Sequence, residues 1–299
     1  MTLLELIESG ARTLTEAKVS FGHGTTNAFD ESAWLVLWSL GLPLDTPLDG
    51  SSSMANTAVA PAAAAQAATL LGARVHTRKP AAYLTHEAWL QGFAFYVDER
   101  VIVPRSLIAE LLVEGSMDYW LRESTRKVLD LCTGNASLAV IAAHVFPDVV
   151  LTAADLSPDA LAVARINLDK HGLQNRIGLV MSDGLGADEL VAAGPFDLIL
   201  CNPPYVNAQS MRDLPPEYHA EPSMALDGNR DGGSDGMDFI RTLLREAPAH
   251  MNPGAVLVLE IGNECPNFEA AFPSLEVVWL ETNAGEDQVL LITREALTQ

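Results

Sequence analysis

Apolar residues recur along this chain in two different rhythms. Over residues 2–72 the spacing is helical. Leu3, Leu4, Leu6 and Ile7 open one run, and Trp34, Leu35, Leu37 and Trp38 mark a second that starts at Asp30 or Glu31 and stops at Gly41-Leu42-Pro43. Asp49-Gly50-Ser51-Ser52-Ser53 is a polar loop, and an Ala-rich helix opened by Pro61 runs to Leu71. Between 74 and 105 the period falls to two, which predicts a β-hairpin from 89–97 and 101–103, turned at Asp98-Glu99-Arg100. From 107 onward apolar runs alternate with helical segments. The strands predicted are 128–131, 149–154, 177–181, 196–201, 255–261, 275–280 and 288–293, with helices between them that include 158–170 and 237–250.

This alternation implies an α/β fold: a seven-stranded, mostly parallel, Rossmann-like sheet with helices on both faces, a small helical N-terminal domain and a β-hairpin hinge. No helix-length segment separates the last two strands, so they are expected to form a hairpin whose final strand is antiparallel. The expected domains are 1–73, a hinge at 74–105 and an α/β domain at 106–299. The helical part reads equally as a partner-binding module or as a packing appendage. Ligands of such sheets bind beyond the carboxyl ends of the strands, near the topological switch point.

Composition narrows the function. The 299 residues are 48% apolar, enough for a large core and too many for a disordered chain. Asp and Glu number 39 against 18 Lys and Arg, a formal net charge of -21. Tight binding to a phosphate backbone needs basic residues to displace counterions, so this balance argues against it. It suits a basic protein partner, or it is simply a solvated acidic surface. Cys132, Cys201 and Cys265 have no metal-type spacing, and an odd cysteine count without a leader points to reduced thiols and the cytoplasm. No apolar stretch is long enough to span a bilayer.

The candidate chemistry sits at the predicted strand ends. One strand closes on Asn202-Pro203-Pro204-Tyr205. Two prolines remove two donors and fix two φ angles, and Asn202 is biased toward an extended shape by the proline that follows. The tetrapeptide can hold a planar NH₂ group: the Asn202 and Pro203 carbonyls accept its two hydrogens while Tyr205 covers a face. The plainer reading is a Pro-Pro turn. The first strand of the sheet ends in Asp130-Leu131-Cys132-Thr133-Gly134-Asn135-Ala136, a small-residue turn that lets backbone N–H groups approach a ligand. The second ends in Asp155-Leu156-Ser157, with an acid placed to accept from ribose hydroxyls, and the third in Ser182-Asp183-Gly184, where Asp183 suits an exocyclic adenine amine. Each alone also reads as a structural acid, a cap or a turn former. A Gly-x-Gly-x-x-Gly run and a Walker lysine are both missing. An adenosine ligand without phosphates, S-adenosylmethionine, fits best.

Together, residues 130–139, Asp155-Leu156-Ser157 and Asn202-Pro203-Pro204-Tyr205 resemble the class I S-adenosylmethionine-dependent methyltransferases that act on planar NH₂ groups. Arg78-Lys79-Pro80-Ala81-Ala82-Tyr83-Leu84 and Val101-Ile102-Val103-Pro104-Arg105 look like the protein glutamine N-methyltransferases. The release-factor branch of that family continues Pro-Arg with Pro-Glu-Thr-Glu. Here Ser106-Leu107-Ile108-Ala109-Glu110 follows, and this text, with Leu214-Pro215-Pro216-Glu217-Tyr218 and Glu221-Pro222, is similar to the ribosomal branch. The resemblance covers about 75–295. It implies methylation of a glutamine side chain on the third protein of the large ribosomal subunit, a basic partner, with nucleic acid met only through ribosomal assembly intermediates. It implies Asn202, Pro203 and Tyr205 as catalytic residues. Asp130, Cys132, Gly134, Asn135, Asp155, Leu156, Asp183, Gly184 and Asn202 would hold the cofactor. Asn202, Pro203, Pro204, Tyr205 and Arg105 would hold the substrate, and no metal is implied.

Two departures from that pattern stand out. Family members have Gly-Ser-Gly or Gly-Thr-Gly at Gly134-Asn135-Ala136, so the Ala136 methyl is expected to crowd the methionine end of the cofactor or to resist a positive φ, while Asn135 offers an amide. The segment 227–238 is longer than usual and begins like a calcium loop, but its twelfth position is Asp238 and no entering helix precedes it, which favours a mobile glycine-rich rim. Three rivals remain: a release-factor glutamine methyltransferase, an adenine or guanine amino-methyltransferase, which would display a flipped NH₂ group and a basic stripe, and a cofactor-free ribosome assembly factor, which would give no heat with S-adenosylmethionine.

Overall fold

The computed structural model describes residues 1–299 as two compact units. One comprises Met1–Ala88 with Leu214–Glu221, the other Trp89–Asp213 with Pro222–Gln299.

The first unit holds helices α1 (Leu3–Glu16), α2 (Ala28–Ser39), α3 (Pro61–Thr77) and α4 (Ala81–Thr85). Thr2 and Glu5 form a capping box that starts α1, whose buried face is Leu3, Leu6, Ile7, Gly10 and Leu14. Asn27 caps α2, and Pro61 occupies the first turn of α3. The fully buried Arg74 of α3 is the charged centre of this unit. Its Nε donates to Glu31 at 2.8 Å, NH1 to Glu217 at 3.3 Å and NH2 to the Ser20 carbonyl at 2.8 Å. Arg78 NH1 donates to the same Glu217 oxygen at 3.1 Å. A buried cation facing two buried carboxylates repays its desolvation only when its hydrogen bonds are met; each guanidinium nitrogen makes one here, while Glu217 Oε2 is buried without a partner. The 3₁₀ turn Pro216–Ala220, which carries Glu217, is thereby fixed within the helical unit although far from it in sequence.

The second unit opens with a short hairpin of β1 (Ala88–Leu90), which enters it at Trp89, and β2 (Phe93–Phe95). It turns at Gln91 and Gly92, both at positive φ (49° and 79°), the geometry a two-residue hairpin loop requires. The turn expected at Asp98-Glu99-Arg100 is therefore displaced, and 101–103 forms no strand. Asp98 instead folds the chain on itself, accepting from Arg100 N at 3.1 Å and Arg100 Nε at 2.9 Å.

After α5 (Ile108–Glu114) comes the main sheet: β3 (Lys127–Leu131), β4 (Val150–Asp155), β5 (Ile177–Met181), β6 (Phe196–Cys201), β7 (Met251–Glu260), β8 (Val278–Thr282) and β9 (Gly285–Thr293), in the order β5-β4-β3-β6-β7-β9-β8. All neighbours are parallel except β9, which runs antiparallel to both β7 and β8, as the missing connecting helix required. Between the strands lie α6 (Ser137–Val145), α7 (Pro158–His171), α8 (Asp188–Ala193), α9 (Ala208–Asp213), α10 (Asp238–His250) and α11 (Cys265–Ala271), and α12 (Arg294–Leu297) closes the chain. Strand residues alternate between two cores. Val128, Leu198, Val256 and Leu291 enter one; Leu129, Ile199, Leu257 and Leu290 enter the other. Both faces are covered, which is why these strands read as continuous apolar runs. The chain reverses its winding between β3 and β6, so the carboxyl ends of those two strands flank the switch point.

Candidate active site

Four strand ends and two loops enclose one cavity of about 320 Å³ in the second unit. At the end of β3 the turn Cys132–Ala136 holds three residues at positive φ: Cys132 at 60°, Gly134 at 56° and Ala136 at 64°. A Cβ built on Gly134 would meet nothing within 4 Å, so the space beside this turn is open, and both Cys132 and Gly134 line the cavity. Asp155, at the end of β4, braces the turn from across the sheet. Its Oδ2 accepts from Gly134 N at 2.9 Å and its Oδ1 from Ser157 N at 2.9 Å. Burial pushes the Asp155 carboxyl up from its ordinary value, against three backbone N–H groups that favour the charged form. Leu156 and Gly184 complete this side.

From β6 come Asn202 and Pro204, both lining the same cavity. The Asn202 side chain is half-buried and makes no hydrogen bond with another protein group. A carboxamide left open beside a cavity is a group waiting for a partner.

Several residues singled out from the sequence do not line this space. Asp130 is buried beneath it, where Oδ2 accepts from Thr133 Oγ1 at 2.5 Å and Ala139 N at 3.0 Å. Its Oδ1 is buried without a partner, and desolvation raises its pKa to about 7. Asn135 is also buried; Oδ1 accepts from Ser137 N at 3.1 Å and Nδ2 has no partner. Asp183 is exposed and paired in both oxygens with Arg230, at 2.9 and 3.1 Å. Pro203 is buried, Tyr205 half-buried against the second core, and Arg105 donates from NH1 to the Val103 carbonyl at 3.1 Å. Ala136 does take the positive φ that its side chain was expected to resist, and its methyl is wholly buried in the first core, away from the cavity.

Of the rest of the lining, only the contribution of the 227–238 segment, expected as a rim, was legible beforehand. Arg100, Val101 and Ile102 arrive because the hairpin turns early, and Pro222, Ser223, Met224, Ala225, Asp227 and Arg230 come from the long loop after the double proline. The glycine-rich segment 227–238 is laced to Val206, the residue that follows Asn202-Pro203-Pro204-Tyr205. Val206 N donates to the Leu226 carbonyl at 2.9 Å, Gly228 N to the Val206 carbonyl at 3.1 Å, and Asn229 Nδ2 to that carbonyl at 3.1 Å. Its acids serve local bonds: Asp227 accepts from Asn229 Nδ2 at 2.7 Å, Asp238 from Gly233 N at 2.9 Å, and Asp235 pairs with Arg241.

Sheet order, switch-point cavity and strand-end residues define a Rossmann-like methyltransferase domain, and the family described as "Methyltransferase small domain" matches residues 109–214. The chain is 48% identical over 298 residues to a Bordetella pertussis protein named ribosomal protein uL3 glutamine methyltransferase, covering 99% of this chain and 96% of that one. It is 47% identical to a Burkholderia pseudomallei protein of the same name, covering 97% and 94%. The chain belongs to the ribosomal protein uL3 glutamine methyltransferase family. Among solved structures, the hMettl16 catalytic domain in complex with MAT2A 3'UTR hairpin 6 shares the fold at TM-score 0.50 and 12% identity, over 77% of this chain and 80% of that one.

Proposed function

We propose that the cavity holds S-adenosylmethionine and that Asn202 presents to it a glutamine side-chain amide of ribosomal protein uL3. The observation that carries this reading is the open Asn202 carboxamide on the same cavity as Gly134 and the strand-end acid Asp155. When bound, the cofactor supplies a methyl group on a positively charged sulfur. The chain's own residues bind and orient. The Gly134 turn takes the methionine end and Asp155 the nucleoside end, and Asn202 Oδ1 accepts one amide N–H. The Pro203 carbonyl accepts the other through the main chain. Positive charge that builds on the amide nitrogen then faces two fixed carbonyl dipoles. No basic side chain is needed ahead of attack, because methylation itself acidifies the N–H.

The net charge of -21 supports a basic ribosomal protein as partner, and the relatives' naming for a ribosomal substrate supports action in the cytoplasm. We assign substrate recognition to the helical unit. Asn202→Ala is expected to lower kcat roughly a hundredfold or more while the dissociation constant for S-adenosylmethionine moves by less than about threefold. Turnover with purified uL3 and calorimetry with the cofactor read the two quantities. Equal losses in both would overturn this division of labour.

A further inference from the structure

Helix α7 buries a stripe of Ala160, Val163, Ala164, Asn167 and Leu168. Four of these are apolar, and the fifth is an asparagine with no exposed surface. An amide in an apolar stripe costs free energy unless its polar atoms are met. Those of Asn167 are met wholly by main chain. Oδ1 accepts from Tyr96 N at 2.7 Å, and Nδ2 donates to the Tyr96 carbonyl at 3.0 Å and to the Asn135 carbonyl at 2.9 Å.

These contacts join two parts of the cavity wall that are distant in sequence. Asn135 lies in the turn that carries Cys132 and Gly134. Tyr96 begins a short rigid segment: its hydroxyl donates to Asp98 at 2.9 Å, Arg100 NH2 donates to the same oxygen at 2.6 Å, and Val101 N donates to the Asp98 carbonyl at 3.1 Å. Arg100, Val101 and Ile102 of that segment line the cavity; Asn167 itself does not.

We infer that Asn167 is a positioning residue for the methyl donor, one buried amide that sets the distance between the Gly134 turn and the Arg100–Ile102 wall. This rests on the reading that the cavity holds S-adenosylmethionine. Serine at 167 is too short to reach either partner, leaving Tyr96 N, Tyr96 O and Asn135 O without their bonds. The wall would then loosen around the donor while Asn202 stays in place on β6.

The test compares Asn167→Ser with Asp197→Ala. Asp197 also makes three bonds, from Arg126 N at 2.8 Å, Lys127 N at 3.0 Å and Asn252 Nδ2 at 2.8 Å, but at the amino end of the sheet and outside the cavity lining. Asn167→Ser is expected to raise KM for S-adenosylmethionine roughly tenfold or more, with kcat and KM for uL3 within about threefold. Asp197→Ala is expected to lower thermal stability with that KM unchanged. Should Asn167→Ser not fold, Asn167→Asp keeps the acceptor for Tyr96 N, loses both donors, and is expected to raise KM likewise. Wild-type calorimetry separates the two readings. No binding of S-adenosylmethionine by the wild type removes the proposed cofactor. Wild-type binding with an unchanged KM in the Asn167 variants overturns the positioning role. So does a rise in KM that merely tracks lost stability in both Asn167 and Asp197 variants.

Discussion

Gly262 stands against the ring of Tyr205. A Cβ added to this glycine would lie 2.7 Å from Tyr205 Cε2 and 2.9 Å from its hydroxyl oxygen, and its φ of 51° is one that side chains resist. Gly236 packs against the Tyr205 main-chain carbonyl, where an added Cβ would collide with the oxygen. The ring is thus held by backbone, which cannot swing away as a side chain would. Gly262→Ala is expected to cost about 1–3 kcal/mol of stability and to displace the ring. If Tyr205 packs on the substrate amide, turnover falls roughly tenfold while cofactor affinity holds. Full activity in a stably folded Gly262→Ala protein would take Tyr205 out of the substrate site.

Two buried acids give the fold an unusual pH dependence. Glu260 accepts from Ser106 Oγ at 2.5 Å and Leu107 N at 2.9 Å, yet burial pushes it from 4.5 up to about 7. Desolvation raises Asp130 from 3.8 to about 7 as well, and Asp155 and Glu31 rise for the same reason. An acid raised by folding favours the native state in its neutral form. That contribution is complete below the unfolded values and is lost as pH climbs through about 7. Asp98, held at about 2 chiefly by hydrogen bonds from Arg100, has the opposite sign, but its window lies below pH 3.8. Urea unfolding between pH 5 and 7.5 is therefore expected to show stability falling with pH, by roughly 2–3 kcal/mol for each carboxyl raised this far. Glu260→Gln keeps an oxygen for both donors and should remove its share of the slope. A slope unaltered by that substitution would refute the assignment.

What could be read in advance follows from distance along the chain. Strands buried on both faces announce themselves as apolar runs, and the 177–181 and 196–201 strands fall where the pattern puts them. The motif residues Gly134, Asp155 and Asn202 converge because parallel strands place all their carboxyl ends at one edge. Three things were hidden. The hairpin turn at Gln91-Gly92 lay inside a run of aromatics, which obscured the Xaa-Gly signal. The Glu217 turn joins the helical unit through buried Arg74, a contact 143 positions apart that no local pattern encodes. Asn167 left a trace, a polar residue on an apolar helical stripe, but its partners are backbone groups with no signature of their own.

Ala136 stands where the motif that this turn resembles has glycine, and its backbone settles what that costs. Its φ of 64° carries a strain of about 1 kcal/mol for a residue with a Cβ. Its methyl, wholly buried in the first core, returns roughly 0.8 kcal/mol of apolar burial. The two nearly cancel. Ala136→Gly is expected to change unfolding free energy by less than about 1 kcal/mol and the S-adenosylmethionine dissociation constant by less than about twofold. Calorimetry on the two proteins checks this. A glycine variant that binds much more tightly would place the methyl in the cofactor's way.

Cys132 offers a probe of the cavity that needs no substrate. It is half-buried and lines the cavity, Cys201 is buried, and Cys265 is half-buried but absent from the lining. Burial raises the Cys201 thiol far enough to keep it inert, and Cys265 is raised by the same cause. A neutral maleimide should therefore modify Cys132 and Cys265 at separately measurable rates. A ligand that fills the cavity shields only the first. At a concentration ten times its dissociation constant it should slow modification of Cys132 about tenfold. Peptide mass spectrometry with and without S-adenosylmethionine gives both rates at once, with Cys265 as the internal reference. Protection of both thiols alike would signal a general tightening of the unit, and protection of neither would mean the donor binds elsewhere.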